Sequence, residues 1–181
     1  AISHDRIYGY AGDDTFRYGM GEDEYHGGDG WDTLDLRLAK VSALIDAEPE
    51  FLVDLSAGKL VYGAIRNGKW TGSISRFDGI EAVTLSRGVD HVRGSANGDY
   101  FLTDEGDRAG GDRIWAGAGN DTLVIRRGAA GFQHVFYNGE TGFDLLDLSD
   151  FQMPVTIDLG SAATQPFPTP EGASAAGIEL A

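Results

Sequence analysis

Apolar side chains recur every nine residues in the first part of the chain, and each follows an aspartate by two positions. The apolar residues are Ile7, Phe16, Tyr25 and Leu34, and the aspartates are Asp5, Asp14, Asp23 and Asp32. Side chains alternate between the two faces of a β-strand, so each aspartate shares a face with its apolar partner. A glycine or another small residue stands two positions before each aspartate, which favours a tight turn. The pattern predicts short strands joined by glycine-rich turns.

The same pattern returns in the second half of the chain, with two interruptions. The units there are GSANGDYFL (94–102), DRAGGDRIW (107–115), AGAGNDTLV (116–124) and GETGFDLLD (139–147). The corresponding aspartates are Asp90, Asp99, Asp112, Asp121 and Asp144. Four extra residues break the phase once, and a degraded unit with Ala130 in place of aspartate breaks it again. The apolar residues predicted to enter the core of this block are Val92, Phe101, Ile114, Leu123 and Leu146.

A longer repeat is superimposed on the nonapeptides. Residues 5–16 resemble residues 112–123, and residues 25–36 resemble residues 137–148. The second copy stops short near Ala181, so we expect this sequence to be part of a longer protein.

Two nonapeptides per coil would stack the strands as parallel ladders on two faces of a thin shared core. The sequence therefore predicts an all-β fold, a right-handed parallel β-roll or β-solenoid with inserted strand and hairpin segments. We divide it into a first nonapeptide block (1–36), an inserted β segment (37–84), a second nonapeptide block (85–148) and the start of a second insert (149–181).

The segment between the two blocks changes character. Residues 51–55 read as a strand, and residues 59–65 and 69–77 flank Arg66-Asn67-Gly68, which is a hairpin signal. Residues 39–47 are predicted to form a short helix, and residues 165–172, with three prolines, a loop. Trp70, Tyr62 and Arg66 are either contacts for a ligand or part of the packing on the solenoid.

Charge narrows the classes of partner. Among 181 residues, 14 Lys and Arg against 29 Asp and Glu leave a net charge of −15. Such a field repels the phosphates of nucleic acid and favours cations as partners. The absence of cysteine excludes disulfides, thiolate zinc sites and cysteine nucleophiles. No run of 18 apolar residues exists, so we expect no membrane-spanning segment.

Stacking the nonapeptides also stacks their carboxylates. At a strand spacing of about 4.8 Å, two carboxylates repel by about 0.9 kcal/mol in water and about 3.5 kcal/mol at an effective dielectric of 20. The basic residues are not placed beside the aspartates, so a divalent cation is the natural counter-charge. Carboxylates and turn carbonyls are hard oxygen ligands, which suit calcium. The alternative, that the aspartates serve only ordinary turn chemistry, stays open at this point.

The units resemble the GGxGxDxUx nonapeptides of the repeats-in-toxin (RTX) family, over residues 3–35 and roughly 85–147. The resemblance implies a calcium-binding β-roll in which the sixth-position aspartate binds calcium together with turn carbonyls and a ligand two units further along. Asp14 would then pair with Asp32 at one edge, and Asp5 with Asp23 at the other. The candidate carboxylates of the second block are Asp90, Asp99, Asp112, Asp121 and Asp144. The carbonyl candidates are those of Gly9, Ala11, Gly27, Asp29, Ala116 and Ala118, and Asp13 and Asn120 complete the metal set. Tyr10, Tyr18, Asn97 and Ala130 depart from the pattern, which predicts weak or empty sites near them.

Other motifs exclude several activities. The four histidines form no His-x-x-x-His pair and no HExxH, no Gly-x-Ser-x-Gly occurs, and no dinucleotide-binding glycine motif is present. We expect no catalytic site in this chain, and histidines that lie at the surface. Five acidic side chains are predicted to be solvated charge rather than ligands: those of Glu22, Asp29, Asp104, Glu105 and Asp107.

The predicted function is that of a calcium-binding module of a secreted or cell-surface bacterial protein. The resemblance implies type I secretion, with folding on calcium binding outside the cell. The large repeat favours a structural or adhesive element, with surface polysaccharide or neighbouring repeats of the same protein as partners. The alternative is an accessory module of a secreted protease, lipase or polysaccharide epimerase, or of a toxin.

Overall fold

A computed structural model describes residues 4–19, 21–37, 50–66, 69–103, 111–126 and 135–150, and every regular element in these ranges is a β-strand. The first seven strands are β1 (Arg6–Ala11), β2 (Thr15–Arg17), β3 (Glu24–Asp29), β4 (Thr33–Asp35), β5 (Glu50–Asp54), β6 (Lys59–Arg66) and β7 (Lys69–Asp78). The other seven are β8 (Ala82–Thr84), β9 (Asp90–Arg93), β10 (Tyr100–Leu102), β11 (Arg113–Trp115), β12 (Thr122–Val124), β13 (Phe136–Asn138) and β14 (Leu145–Asp147). The prediction of an all-β fold is confirmed for these residues.

The strands form two sheets, between which the chain alternates within each nonapeptide block. The larger sheet has the order β1-β3-β7-β6-β5-β9-β11-β13, and the smaller one β2-β4-β8-β10-β12-β14. Every pairing is parallel except β5–β6 and β6–β7. Parallel sheets arranged in this way are consistent with a β-roll. We call a strand of the larger sheet, the following strand of the smaller sheet and the turn between them a rung.

The register of the sheets follows the nonapeptide repeat. Ile7 pairs with Tyr25 and Phe16 pairs with Leu34, so each unit lies beside the second unit after it and two nonapeptides make one rung. In the second block Phe101 pairs with Leu123, and this step along the chain is longer because four residues are inserted there. The prediction of two nonapeptides per repeat of the stack is therefore confirmed in the first block.

The core lies between the two sheets and contains most of the predicted apolar residues. Buried there are Phe16, Tyr25, Leu34, Val92, Phe101, Ile114 and Leu123, and Leu146 is partly buried against them. Each such side chain contributes about 1.5–3 kcal/mol when fully buried. The prediction is wrong for Ile7, which is 39% exposed. Ile7 lies in β1, the outermost strand of its sheet, and no described rung covers it there.

The segment between the blocks enters the larger sheet as three adjacent strands. β6 and β7 pair antiparallel up to Arg66 and Lys69, which confirms the predicted hairpin, and its two connecting residues lie outside the described ranges. The strand predicted at residues 51–55 is confirmed as β5, which also pairs antiparallel with β6. The helix predicted at residues 39–47 and the loop at residues 165–172 lie outside the described residues.

Tyr62 is partly buried and packs against the core. Its ring centroid lies 5.2 Å from that of Phe51 and 6.1 Å from that of Tyr18. Of the two interpretations of Tyr62, packing on the solenoid is therefore confirmed, because β6 places its ring against the aromatic core. The side chains of Arg66 and Trp70, predicted with it, are outside the described part of the structure.

Candidate metal centres

The repeat aspartates lie in the turns that join the two sheets. The turns leading from the larger to the smaller sheet, which we call the first edge, contain Asp14, Asp32, Asp99, Asp121 and Asp144. The second edge is where the chain enters a strand of the larger sheet. Its aspartates lie just before that strand or, for Asp90, at its first residue, and they are Asp5, Asp23, Asp90 and Asp112. The glycine-rich half of each unit forms the turn, and the half after the aspartate forms the strand.

Aspartates of neighbouring rungs contact each other through the backbone. At the first edge, the N–H of Asp14 donates to Asp32 Oδ1 at 2.9 Å. The N–H of Asp121 donates in the same way to Asp144 Oδ1 at 3.0 Å. At the second edge, the N–H of Asp5 donates to Asp23 Oδ1 at 3.0 Å. The structure thus brings together both pairs that the resemblance implied for the first block.

The second block repeats this ladder of hydrogen bonds. The N–H of Asp99 donates to Asp121 Oδ1 at 2.7 Å, and the N–H of Asp90 donates to Asp112 Oδ1 at 2.9 Å. In each pair one carboxylate oxygen fixes the preceding rung. This contact explains why an aspartate recurs at the sixth position, and it leaves the second oxygen, Oδ2, for another partner.

At the first edge, three of these second oxygens are buried and accept no hydrogen bond from the part of the chain that the structure describes. They are Oδ2 of Asp14, Asp32 and Asp121. Asp32 is fully buried and Asp121 is 1% exposed. A buried carboxylate without a partner costs several kcal/mol, so these oxygens require either a cation or a proton.

The electrostatics of Asp121 show how unfavourable the charge is. Burial, together with the neighbouring carboxylates of Asp99 and Asp144, raises the pKa of Asp121 to about 7. The hydrogen bond from the Asp99 N–H lowers this pKa but does not outweigh them. The buried Asp35 behaves in the opposite way. Burial raises its pKa, but hydrogen bonds from Arg37 and the charges of Arg37 and Arg17 outweigh burial and lower it overall. The protein supplies a cation to Asp35, whereas no described lysine or arginine forms an ion pair with Asp121.

Turn carbonyls approach the same carboxylates. At the position that a Cβ of Gly9 would occupy, Asp14 Oδ2 is 2.4 Å away and the carbonyl oxygen of Gly27 is 2.6 Å away. At the equivalent position of Gly27, Asp32 Oδ2 lies at 2.4 Å. A carboxylate of one rung and a carbonyl of the next therefore converge, and only glycine leaves room for them.

The remaining predicted carbonyl residues line the same turns. Ala11 pairs with Asp29 in the β1–β3 ladder, and the Asp29 carbonyl accepts a hydrogen bond from Gly12 N–H at 2.8 Å. Ala116 is buried and donates its N–H to Asn138, and Ala118 donates its N–H to Ser95. The Asp29 carbonyl has two lone pairs, so this hydrogen bond does not prevent it from binding a metal.

Asp13 and Asn120 hold neighbouring rungs together through their side chains. Asp13 Oδ1 accepts the N–H of Trp31 at 2.9 Å, and Asn120 Oδ1 accepts the N–H of Phe143 at 3.0 Å. Both side chains are exposed at the outer rim of the turn. Their role as metal ligands stays a prediction.

Four polar residues at these edges were missed by the sequence analysis. Ser75 and Glu81 replace aspartate in the rung of β7 and β8: Ser75 Oγ accepts the Asp23 N–H at 3.0 Å, and Glu81 Oε2 accepts the Asp32 N–H at 2.9 Å. The antiparallel strands inserted before this rung interrupt the nine-residue period, so the sequence does not show that these residues hold the aspartate position. Ser86 and Ser95 bind Asp90 and Asp99 within their own turns. Their nine-residue separation was the signal that could have identified them.

The described histidines do not form a metal site. His4 contacts Glu22 at 3.0 Å and His26 contacts Asp78 at 2.9 Å, both at the surface as predicted. His91 contradicts the prediction, since it is only 7% exposed on β9. Burial, followed by the charge of Arg113, lowers the pKa of His91 to about 4. His134 lies outside the described residues.

The donor set fits calcium. Within the described ranges, no cluster joins three carboxylate or histidine side chains, so a cation at these edges must take much of its shell from backbone carbonyls. Calcium accepts six to eight oxygen ligands in irregular geometry, including carbonyls, whereas magnesium requires a near-ideal octahedron. The buried Oδ2 atoms and the converging carbonyls meet this requirement.

No described helix is long and apolar enough to span a membrane.

Comparison with known proteins agrees with this chemistry. A search of curated proteins finds no match to the chain. A family model described as the RTX calcium-binding nonapeptide repeat matches four copies, over residues 3–25 and 107–128. These two segments contain five of the edge aspartates, namely Asp5, Asp14, Asp23, Asp112 and Asp121. The chain therefore carries calcium-binding nonapeptide repeats of the RTX type, and repeats of this type bind Ca²⁺.

Proposed function

We propose that the chain is a calcium-binding module of a secreted or cell-surface bacterial protein, which folds as a right-handed parallel β-roll on binding calcium outside the cell. The observation that supports it most strongly is the set of buried, unpartnered Oδ2 atoms of Asp14, Asp32 and Asp121. The calcium-binding repeats themselves are typical of secreted bacterial proteins.

The proposed first-edge sites use pairs of neighbouring rungs. One site takes Asp14 and Asp32 with turn carbonyls such as that of Gly27, and another takes Asp121 and Asp144 with the carbonyls of their turns. At the second edge Asp5 and Asp23 form the corresponding pair. Bound calcium supplies the positive charge that the stacked carboxylates lack. The chain's own residues hold the two rungs in register through the aspartate N–H to Oδ1 hydrogen bonds.

Calcium would couple to folding by mass action. Extracellular calcium modules have dissociation constants of about 10⁻⁴–10⁻³ M. At a concentration about tenfold above such a constant, each site stabilises the folded state by about 1.4 kcal/mol. Three sites would contribute about 4 kcal/mol, a large share of the roughly 5–15 kcal/mol that stabilises a typical domain. Cytosolic calcium lies far below these constants, so the chain would stay unfolded before export by the type I route.

We favour a structural or adhesive role for the assembled roll. The long repeat, in which the pattern of residues 5–16 returns at residues 112–123, suits a protein that builds length from tandem units. Surface polysaccharide or neighbouring repeats of the same protein are the proposed partners. The alternative is an accessory module of a secreted enzyme or toxin. A catalytic motif in sequence flanking this chain would favour that alternative.

Circular dichroism and calorimetry of the whole chain test the proposal. We expect the β content to rise when calcium is added to chelator-treated protein and to change little with magnesium at the same concentration. Replacing Asp14 and Asp32 together by Asn should lower the number of calcium ions bound. The control is Asp54→Asn, since Asp54 ends β5 and accepts hydrogen bonds from Ser56 and Ala57 in the turn that follows. Equal β content in chelator and in calcium would contradict the proposal.

A further inference from the structure

We infer that Ser86 and Ser95 close the turns on either side of β9 in place of calcium, so that Asp90 and Asp99 are not calcium ligands. The inference rests on the proposed function, because it divides the repeat aspartates into those that take calcium and those that do not. The two serines would therefore determine which turns depend on calcium and which do not.

The carboxylate of Asp99 is satisfied within its own turn. The backbone N–H of Ser95 donates to Asp99 Oδ2 at 2.6 Å, and the Ser95 hydroxyl donates to Asp99 Oδ1 at 3.0 Å. The N–H of Asn97 then donates to Ser95 Oγ at 3.0 Å. Oδ2 of Asp121, at the same position one rung further on, has none of these donors.

The turn before β9 repeats this arrangement. The N–H of Ser86 donates to Asp90 Oδ2 at 2.7 Å, and the Ser86 hydroxyl donates to Asp90 Oδ1 at 2.9 Å. The N–H of Gly88 donates to Ser86 Oγ at 3.1 Å. Two consecutive nonapeptides thus use a serine at the same position, four residues before the aspartate, for the same three hydrogen bonds.

The backbone conformation is a second, independent difference between the Ser95 turn and the other first-edge turns. The second residue of those units has positive φ in every case: 74° at Tyr10, 109° at Gly28, 102° at Gly117 and 63° at Glu140. The fourth residue also has positive φ: 103° at Gly12, 142° at Gly30, 120° at Gly119 and 139° at Gly142. Tyr10 and Glu140 adopt this conformation although it costs a non-glycine residue about 1–2 kcal/mol, so the turn geometry is required there.

Ser95 and Asn97 hold the same two positions, and neither has positive φ. Asparagine tolerates the left-handed region better than tyrosine or glutamate does, so the side chain alone does not explain the difference. The Ser95 turn has a different backbone path, in which the Ser95 N–H points at the carboxylate. A turn that already directs an N–H at Oδ2 has no need of a cation there.

The place of these turns in the stack explains why serine is needed. Oδ1 of Asp32 and of Asp121 accepts an N–H from the aspartate of the preceding rung. β9 follows the inserted strands β5 and β6, which separate it from β7 in the larger sheet. At Asp90 and Asp99 the serine hydroxyl supplies the hydrogen bond to Oδ1 that a preceding aspartate supplies elsewhere.

The first test counts calcium ions by native mass spectrometry on the whole chain. Asp121→Asn keeps an oxygen for the Asp99 N–H, and Asp99→Asn keeps an oxygen for the Ser95 hydroxyl, so they form a matched pair. We expect Asp121→Asn to bind at least one ion fewer than the natural chain, and Asp99→Asn to bind the same number. A loss at Asp99→Asn equal to that at Asp121→Asn overturns the inference and leaves the proposed function intact. A natural chain that binds no calcium overturns the proposed function, and with it the inference.

The second test remains decisive if a variant weakens folding. The dependence of the unfolding free energy on the logarithm of calcium concentration reports the number of ions released on unfolding. We expect Ser95→Ala to lower the urea midpoint by the same amount at every calcium concentration, with the slope unchanged. Asp121→Asn should lower the slope. A slope that changes in Ser95→Ala, together with a changed ion count, would show that calcium binds at this turn.

Discussion

Neutralising Asp121 should stabilise the chain in the absence of calcium and reduce the stability that calcium adds. Asp121 is 1% exposed, Asp99 and Asp144 lie on either side of it in the ladder, and its Oδ2 atom accepts no described hydrogen bond. Asparagine keeps an oxygen for the Asp99 N–H and places an amide where the second carboxylate oxygen was. Asp121→Asn therefore removes a buried charge while keeping the contact between rungs.

The size of the effect follows from the pKa. A rise from 3.8 to about 7 corresponds to about 4 kcal/mol at 1.36 kcal/mol per pKa unit. Because the turn lies at the edge of the sheets, where water reduces the penalty, we expect about half of this value, about 2 kcal/mol. The folded-state pKa is raised, so protonation favours the fold. The cost of the charge is therefore fully present above pH 7 and disappears as the pH falls from 7 towards 4.

The assay is urea unfolding followed by circular dichroism at pH 8, in chelator and in calcium. In chelator, we expect Asp121→Asn to be more stable than the natural chain by about 2 kcal/mol. On addition of calcium, it should gain about 1.4 kcal/mol less than the natural chain at a concentration tenfold above the binding constant, because its site is lost. Asp35→Asn is the contrasting control, because Arg37 and Arg17 already compensate its charge, and it should lose stability in both solutions. An Asp121→Asn protein that is less stable in chelator, or that gains as much from calcium as the natural chain, would refute the reasoning.

Three further predictions concern packing and pH. Gly27→Ala should lower the free energy of unfolding by about 1–3 kcal/mol, because its Cβ would lie 1.8 Å from the Gly79 carbonyl oxygen. In the same urea assay Gly19→Ala should be nearly neutral, because its Cβ would meet nothing within 4 Å. Leu34→Ala should lose about 2–5 kcal/mol in thermal or urea unfolding in calcium, and Ile7→Ala, at the same repeat position but 39% exposed, much less; equal losses would contradict the proposed core. The pKa of His91 is about 4 in the fold against an ordinary value of 6.5, so the fold favours the neutral ring. The free energy of unfolding is therefore unaffected by the ionisation of His91 above pH 6.5 and decreases as the pH falls from 6.5 towards 4. His91→Phe should accordingly lose roughly 2–3 kcal/mol less than the natural chain between pH 7.5 and 4.5, and a parallel loss in both proteins would contradict this.

The nine-residue period predicted what depends on local sequence. It predicted the strands, their parallel arrangement, the register of two nonapeptides per rung and the burial of Phe16, Tyr25 and Leu34, because alternation along a strand and glycine in the turn are local properties. It also brought Asp14 next to Asp32. The period could not show that Ile7 is exposed, since burial depends on whether another rung covers the strand.

Features that depend on distant contacts were beyond the sequence. The β5–β6 pairing places Tyr62 against Phe51, and Tyr18, which is far from both in the chain, packs beside them. The burial of His91 depends on its place within the larger sheet. The division of the aspartates into buried unpartnered carboxylates and serine-bound ones requires the hydrogen bonds themselves, because Asp99 and Asp121 hold the same position in their nonapeptides.

An anomalous difference map from crystals grown in calcium tests the central claim most directly. We expect calcium peaks in the first-edge turns, between Asp14 and Asp32 and between Asp121 and Asp144, each within about 2.3–2.6 Å of carboxylate and carbonyl oxygens. Well-ordered turns at these four aspartates with no peak between them would contradict the claim.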